Sequence, residues 1–87
     1  MFVIIVYDVS VERVGKICQF LRQYLNWVQN SVFEGDLTES EMKQVEFGIK
    51  EIINLESDSV IIYSMQTEKF INRTIVGIQK VDTSSIV

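Results

Sequence analysis

Two segments restrict the fold of this chain more than any others: Phe2-Val3-Ile4-Ile5-Val6-Tyr7 and Ser59-Val60-Ile61-Ile62-Tyr63-Ser64-Met65. Both are rich in β-branched residues and carry no charge, which marks them as strands. Successive side chains along a strand point to opposite faces, so each run offers apolar groups to both sides of a sheet. A chain of 87 residues forms one domain and has too little material to layer both sides of that sheet. One face must be covered from outside. A bare apolar face is an interaction surface, and a second copy about a two-fold axis is its simplest cover. The sequence therefore predicts a homodimer packed through its sheets.

The segments around these runs complete the plan. Ser10 is placed to N-cap a helix whose apolar stripe is Val11, Val14, Ile17/Cys18, Leu21 and Leu25. Residues 26–37 read as extended, either as two short strands or as one bulged strand. Thr38-Glu39-Ser40-Glu41 fits a capping box, and Met42, Val45, Ile49 and Ile52/Ile53 follow at helical spacing. Asn54 to Asp58 breaks that helix, and Thr74 to Lys80 reads as a last short strand. The expectation is an α+β, ferredoxin-like βαββαβ domain over residues 1–80, with an antiparallel sheet and an extra C-terminal strand. Residues 81–87 read as a loose tail.

Composition narrows the chemistry. The chain contains no histidine and one cysteine, Cys18, which excludes a Cys-His pair, a Ser-His-Asp triad and histidine acid–base cleavage. Its four glycines are isolated, so it has no Gly-rich phosphate loop. Hydrolysis, if the chain performs any, must rest on carboxylates and a hard cation such as Mg²⁺ or Mn²⁺. Asp8 is the candidate, an abrupt carboxylate at the end of the first apolar run. It competes with an ordinary role as a strand-terminating Asp that satisfies local N–H groups. One carboxylate is too few ligands for a catalytic ion, but a two-fold axis passing nearby would supply a second.

Net charge is −4, and it is unevenly spread. Residues 34–58 hold eight acids against two lysines, whereas the flanking segments are each slightly basic. Phosphate contacts need local cations, and Arg13, Lys16 and Arg22 on the first helix are the candidates, against the plain alternative of a solvated helix face. The N-terminus lacks the basic region of a signal peptide, and no apolar run is long enough to span a bilayer. The expected location is cytoplasmic, with no membrane partner.

Val6-Tyr7-Asp8-Val9-Ser10, the block Gln29-Asn30-Ser31-Val32-Phe33-Glu34-Gly35-Asp36-Leu37 and Ser59-Val60-Ile61-Ile62-Tyr63 together resemble the second CRISPR-associated protein family, over essentially the whole chain. The resemblance implies a ferredoxin-like homodimer in which Asp8 from both subunits flanks Mg²⁺ or Mn²⁺ near the two-fold axis. It further implies that Tyr7, Ser31 and Phe33 stand near that site as additional catalytic residues. Its members include metal-dependent endonucleases acting on single-stranded RNA or double-stranded DNA. They also include subunits that bridge the CRISPR integrase on DNA during spacer acquisition, where the carboxylate pair can be dispensable. Many members carry a basic residue where this chain has Trp27. Two function classes stand open at this point: a phosphodiester hydrolase using an Asp8-bound ion, and a DNA-binding adaptor without significant nuclease activity. A small-molecule-sensing domain is a distant third, because the sequence has no pocket signature.

Overall fold

A computed structural model describes residues 1–81. Along the chain run β1 (Phe2–Asp8), α1 (Val11–Leu21), β2 (Asn26–Gln29), β3 (Val32–Asp36), α2 (Glu39–Ile52) and β4 (Ser59–Met65), followed by a short 3₁₀ turn at Glu68–Phe70. The four strands form one sheet in the order β2-β3-β1-β4, and every neighbouring pair is antiparallel. This is the ferredoxin-like arrangement expected from the order of elements.

Alternation along β1 decides where the core lies. Val3, Ile5 and Tyr7 are buried in one cluster with Phe33 of β3, Ile17 and Leu21 of α1, and Val45 and Ile49 of α2. Both helices therefore cover the same sheet face. Ile4 and Val6 point the other way and are half-buried, and Asp8 is exposed. Cross-strand partners share a face, so the register extends this second face to Val32 and Glu34 of β3 and to Ser59, Ile61 and Tyr63 of β4. Ile61 and Tyr63 are 49% and 54% exposed. The second face is the open one.

Local chemistry explains the element ends. The capping box at Thr38 forms as read: its hydroxyl accepts the Glu41 N–H (3.1 Å), and the Glu41 carboxylate accepts the Thr38 N–H (2.9 Å). Residues 26–37 resolve into two strands, with a register shift between Trp27 and Gln29. Asn30, at φ 44°, makes the turn, a conformation that Asn tolerates better than most residues. The Trp27 indole N–H donates to the Asn30 carbonyl (2.9 Å) and fastens that turn. Trp27 thus has a structural task at the position where the resemblance leads one to look for a cation. Where α1 and α2 cross, a Cβ on Gly48 would lie 2.0 Å from Cζ of Phe20, so only glycine admits that ring.

Two expectations are corrected. Val11 does not belong to the buried stripe of α1, since it is 86% exposed; the sheet-facing side of the helix begins further along. Residues 74–80 are not a strand. Their composition is strand-like, but within the described residues no sheet edge pairs with them. The segment instead runs by the open face, where Arg73 forms an ion pair with Glu34. A groove of about 830 Å³ lies there, with Ile4, Val32, Ile71, Ile75 and Ile78 among its walls. Val76 and Ile78 remain 93% and 78% exposed. The expected tail, residues 81–87, lies outside the described residues except for Val81.

Candidate functional site

The sheet separates the residues that the sequence grouped together. Asp8 ends β1 on the open face, opposite Ser59 of β4, with Val6 and Ile61 one cross-strand pair further in. Its carboxylate is exposed at the rim of an apolar surface. Tyr7 and Phe33 sit on the other side, buried in the core at 4% and 0% exposure, with their rings 6.2 Å apart. The Tyr7 hydroxyl and the Cys18 thiol share a hydrogen bond of 2.8 Å. Burial, and then the thiol contact, push the phenol up to about 12, while Ser31 and the charge of Arg22 pull weakly the other way. The Ser31 carbonyl also accepts the Tyr7 N–H (3.1 Å). Tyr7, Ser31 and Phe33 therefore fix the strand end from beneath; they do not line the surface that carries Asp8.

The three candidate cations also divide. Arg13 is held by Asp58: Nε donates to Oδ2 (2.5 Å) and Nη2 to Oδ1 (3.1 Å), and Nη1 meets Glu12 (3.3 Å). The forked edge suited to a phosphate is already occupied by a carboxylate. Lys16 is exposed and has no ion pair among the described residues. Arg22, just past the end of α1, lies 5.9 Å above the Phe33 ring centroid and is exposed.

Asp58 is the residue that the sequence did not reveal. Its carboxylate is 2% exposed and also accepts the N–H groups of Ser10 (3.1 Å) and Asn54 (2.9 Å). The Arg13 guanidinium first, and then the Asn54 N–H, hold it down at about 2. Apart from the nearby Asn54 N–H, its partners Arg13 and Ser10 lie 45 and 48 residues away, so no local pattern points to that pairing.

Among the described residues no three acids, cysteines or histidines converge as a metal site. Asp8 is the hard oxygen donor that β1 presents on the open face. That donor type suits Mg²⁺ or Mn²⁺, ions that keep most of their waters and take one or two carboxylates. Asp8 fits as one ligand of such an ion, and among the described residues no ion is enclosed by one chain. No helix among the described residues is long and apolar enough to cross a membrane.

Comparison with known proteins gives one consistent result. A family model described as CRISPR associated protein Cas2 matches residues 1–73. A CRISPR-associated endoribonuclease Cas2 from Methanosarcina acetivorans is 51% identical over 87 residues, covering 100% of both chains. Another, from Methanocaldococcus jannaschii, is 54% identical over 80 residues, or 92% of this chain and 70% of that protein. Among solved structures, a Cas2 crystal structure superposes with a TM-score of 0.87 at 44% identity, covering 94% of this chain and 92% of the other. Streptococcus pyogenes Cas2 at pH 6.5 gives 0.75 at 28% identity, covering 87% and 100%. The chain belongs to the Cas2 family of CRISPR associated proteins.

Proposed function

We propose that this chain acts in CRISPR spacer acquisition as a homodimer joined through its open sheet faces, with the two Asp8 carboxylates sharing one Mg²⁺ or Mn²⁺. The observation that carries the reading is the position of Asp8. It is the acid that β1 places on the half-apolar face of Ile4, Val6, Ile61 and Tyr63, the face that the two helices do not cover. A bound ion would supply an activated water and charge stabilisation for phosphodiester hydrolysis. The chain's own part is to hold Asp8 at the strand end, and to keep Tyr7 neutral and buried beneath it. Several relatives carry the name endoribonuclease, which favours RNA as substrate, with duplex DNA as the alternative.

The adaptor reading has its own support. No three acids, cysteines or histidines gather as ligands among the described residues, and the net charge of −4 confines nucleic acid to local cations. In this role the dimer bridges CRISPR integrase subunits on DNA, with Lys16 and Arg22 meeting phosphates and Arg13 held back by Asp58. Both roles are tested by assaying wild type, Asp8→Asn and Lys16→Glu for RNA and duplex cleavage, and for integration with the integrase present. Metal-dependent cleavage that disappears in Asp8→Asn supports the hydrolase. Integration that survives Asp8→Asn but falls in Lys16→Glu, with the salt slope of DNA binding flattened by about one, supports the adaptor. Full cleavage by Asp8→Asn would refute the metal site.

A further inference from the structure

We propose that Asp58 and Arg13 form a positioning clamp for Asp8, fixing the end of β1 so that its carboxylate meets a metal ion at the correct distance. The inference rests on the Asp8 reading above. Asp58 holds the strand end from two sides. Through the chain it is joined to Ser59, the cross-strand partner of Asp8. Through space it accepts the N–H of Ser10, two residues beyond Asp8 (3.1 Å). Ser10 starts α1, yet its own side chain does not cap that helix, so the turn depends on a carboxylate from the other end of the sequence. The Asn54 N–H (2.9 Å) and two nitrogens of Arg13 (2.5 and 3.1 Å) complete the set around Asp58. Arg13 stands one turn into α1, so the ion pair also fixes the helix relative to the strand end.

An ion pair enclosed this far gains little net stability over a well-packed apolar pair, because desolvation offsets most of the attraction. What four convergent donors do supply is a defined position. Definition matters at Asp8 because Mg²⁺ demands near-ideal geometry at about 2.0–2.1 Å, whereas Ca²⁺ accepts longer and more variable contacts. A clamp that only held the fold together would affect stability and leave the ion preference of the folded dimer unchanged.

The test is Mn²⁺ binding to the purified dimer, followed by the electron paramagnetic resonance of the free ion, with Mg²⁺ and Ca²⁺ as competitors. It compares wild type, Asp8→Asn, Asp58→Asn and Arg13→Lys. For Asp58→Asn with its circular dichroism and dimer mass intact, Mn²⁺ and Mg²⁺ affinity should fall at least tenfold, as for other groups that orient a ligand. Ca²⁺ affinity should fall less. Arg13→Lys keeps the charge but loses the fork; it should move the same ratio by a smaller factor, and it decides the matter if Asp58→Asn does not fold. Unchanged Mg²⁺ and Ca²⁺ affinities in folded dimers of these variants overturn the clamp while leaving Asp8 as the ligand. Mn²⁺ binding that Asp8→Asn does not alter refutes the Asp8 reading itself, and the clamp falls with it.

Discussion

Alternate residues of β1 meet opposite fates. Val3, Ile5 and Tyr7 are closed off by two helices of their own chain, whereas Ile4, Val6 and Asp8 look out from the other face. The strand is nearly uniform in composition, so hydrophobicity alone does not distinguish the two sides. What distinguishes them is the supply of covering layers. The helix-side residues are satisfied by the two helices; on the other side Phe2 is buried as well, whereas Ile61 and Tyr63 stay about half exposed. The single acid of the strand lies on the open side. In the proposed dimer a functional group placed there would be shared between copies, whereas one on the helix side is core.

Substitutions can break this contrast. Phe33→Ala, on the helix side at 0% exposure, should cost about 3–5 kcal/mol, visible in urea unfolding at any protein concentration. Ile61→Asp on the open face should leave the fold of the single chain intact but yield a monomer by light scattering. Its stability should then lose the concentration dependence expected of the wild-type dimer. If both substitutions behave alike, the two faces are not different in kind.

The helix layer can be probed more finely. Gly48→Ala must displace the Phe20 ring and should cost about 1–3 kcal/mol as overpacking, exceeding the helix propensity gained. The helix side also carries an acid-sensitive contact, the Asp58–Arg13 pair. Asp58 is held at about 2 against an ordinary 3.8, so its stabilisation is complete above about pH 4 and drains away as pH falls towards 2. Asp58→Asn should flatten the acid limb of a melting-temperature profile across that window. At the opposite extreme, Tyr7 is pushed up from 10 to about 12. Its neutral form favours the fold below pH 10, and that contribution is lost as pH rises through 12, a step that Tyr7→Phe should remove. The smallest effect is a gain: a Cβ at Gly15 meets nothing within 4 Å, so Gly15→Ala should stabilise by about 0.5–1 kcal/mol.

These contrasts show what could be read from sequence. Continuous apolar, β-branched runs located β1 and β4, and the spacing Thr38–Glu41 located a helix start, because both signals are local. Asp8 was legible as a polar break in an apolar run. Strand parity also separates Asp8 from Tyr7, which the family resemblance had drawn together with it. Asp58 was not legible: besides the local Asn54 N–H, its carboxylate binds residues 45 and 48 positions away, and such contacts leave no periodic trace. Residues 74–80 misled for a related reason. Their β-branched composition is strand-like, but a strand also needs an edge to pair with, and edges belong to the fold rather than to the segment.

The account turns on the open face being a two-fold surface that brings two Asp8 carboxylates together. The most direct measurement is the stoichiometry of Mn²⁺ binding to purified protein by calorimetric titration, at a concentration where light scattering reports a dimer. The prediction is one ion for every two chains, with the site lost in Asp8→Asn while the dimer mass is unchanged. One ion per chain, or an undiminished site in Asp8→Asn, would contradict it.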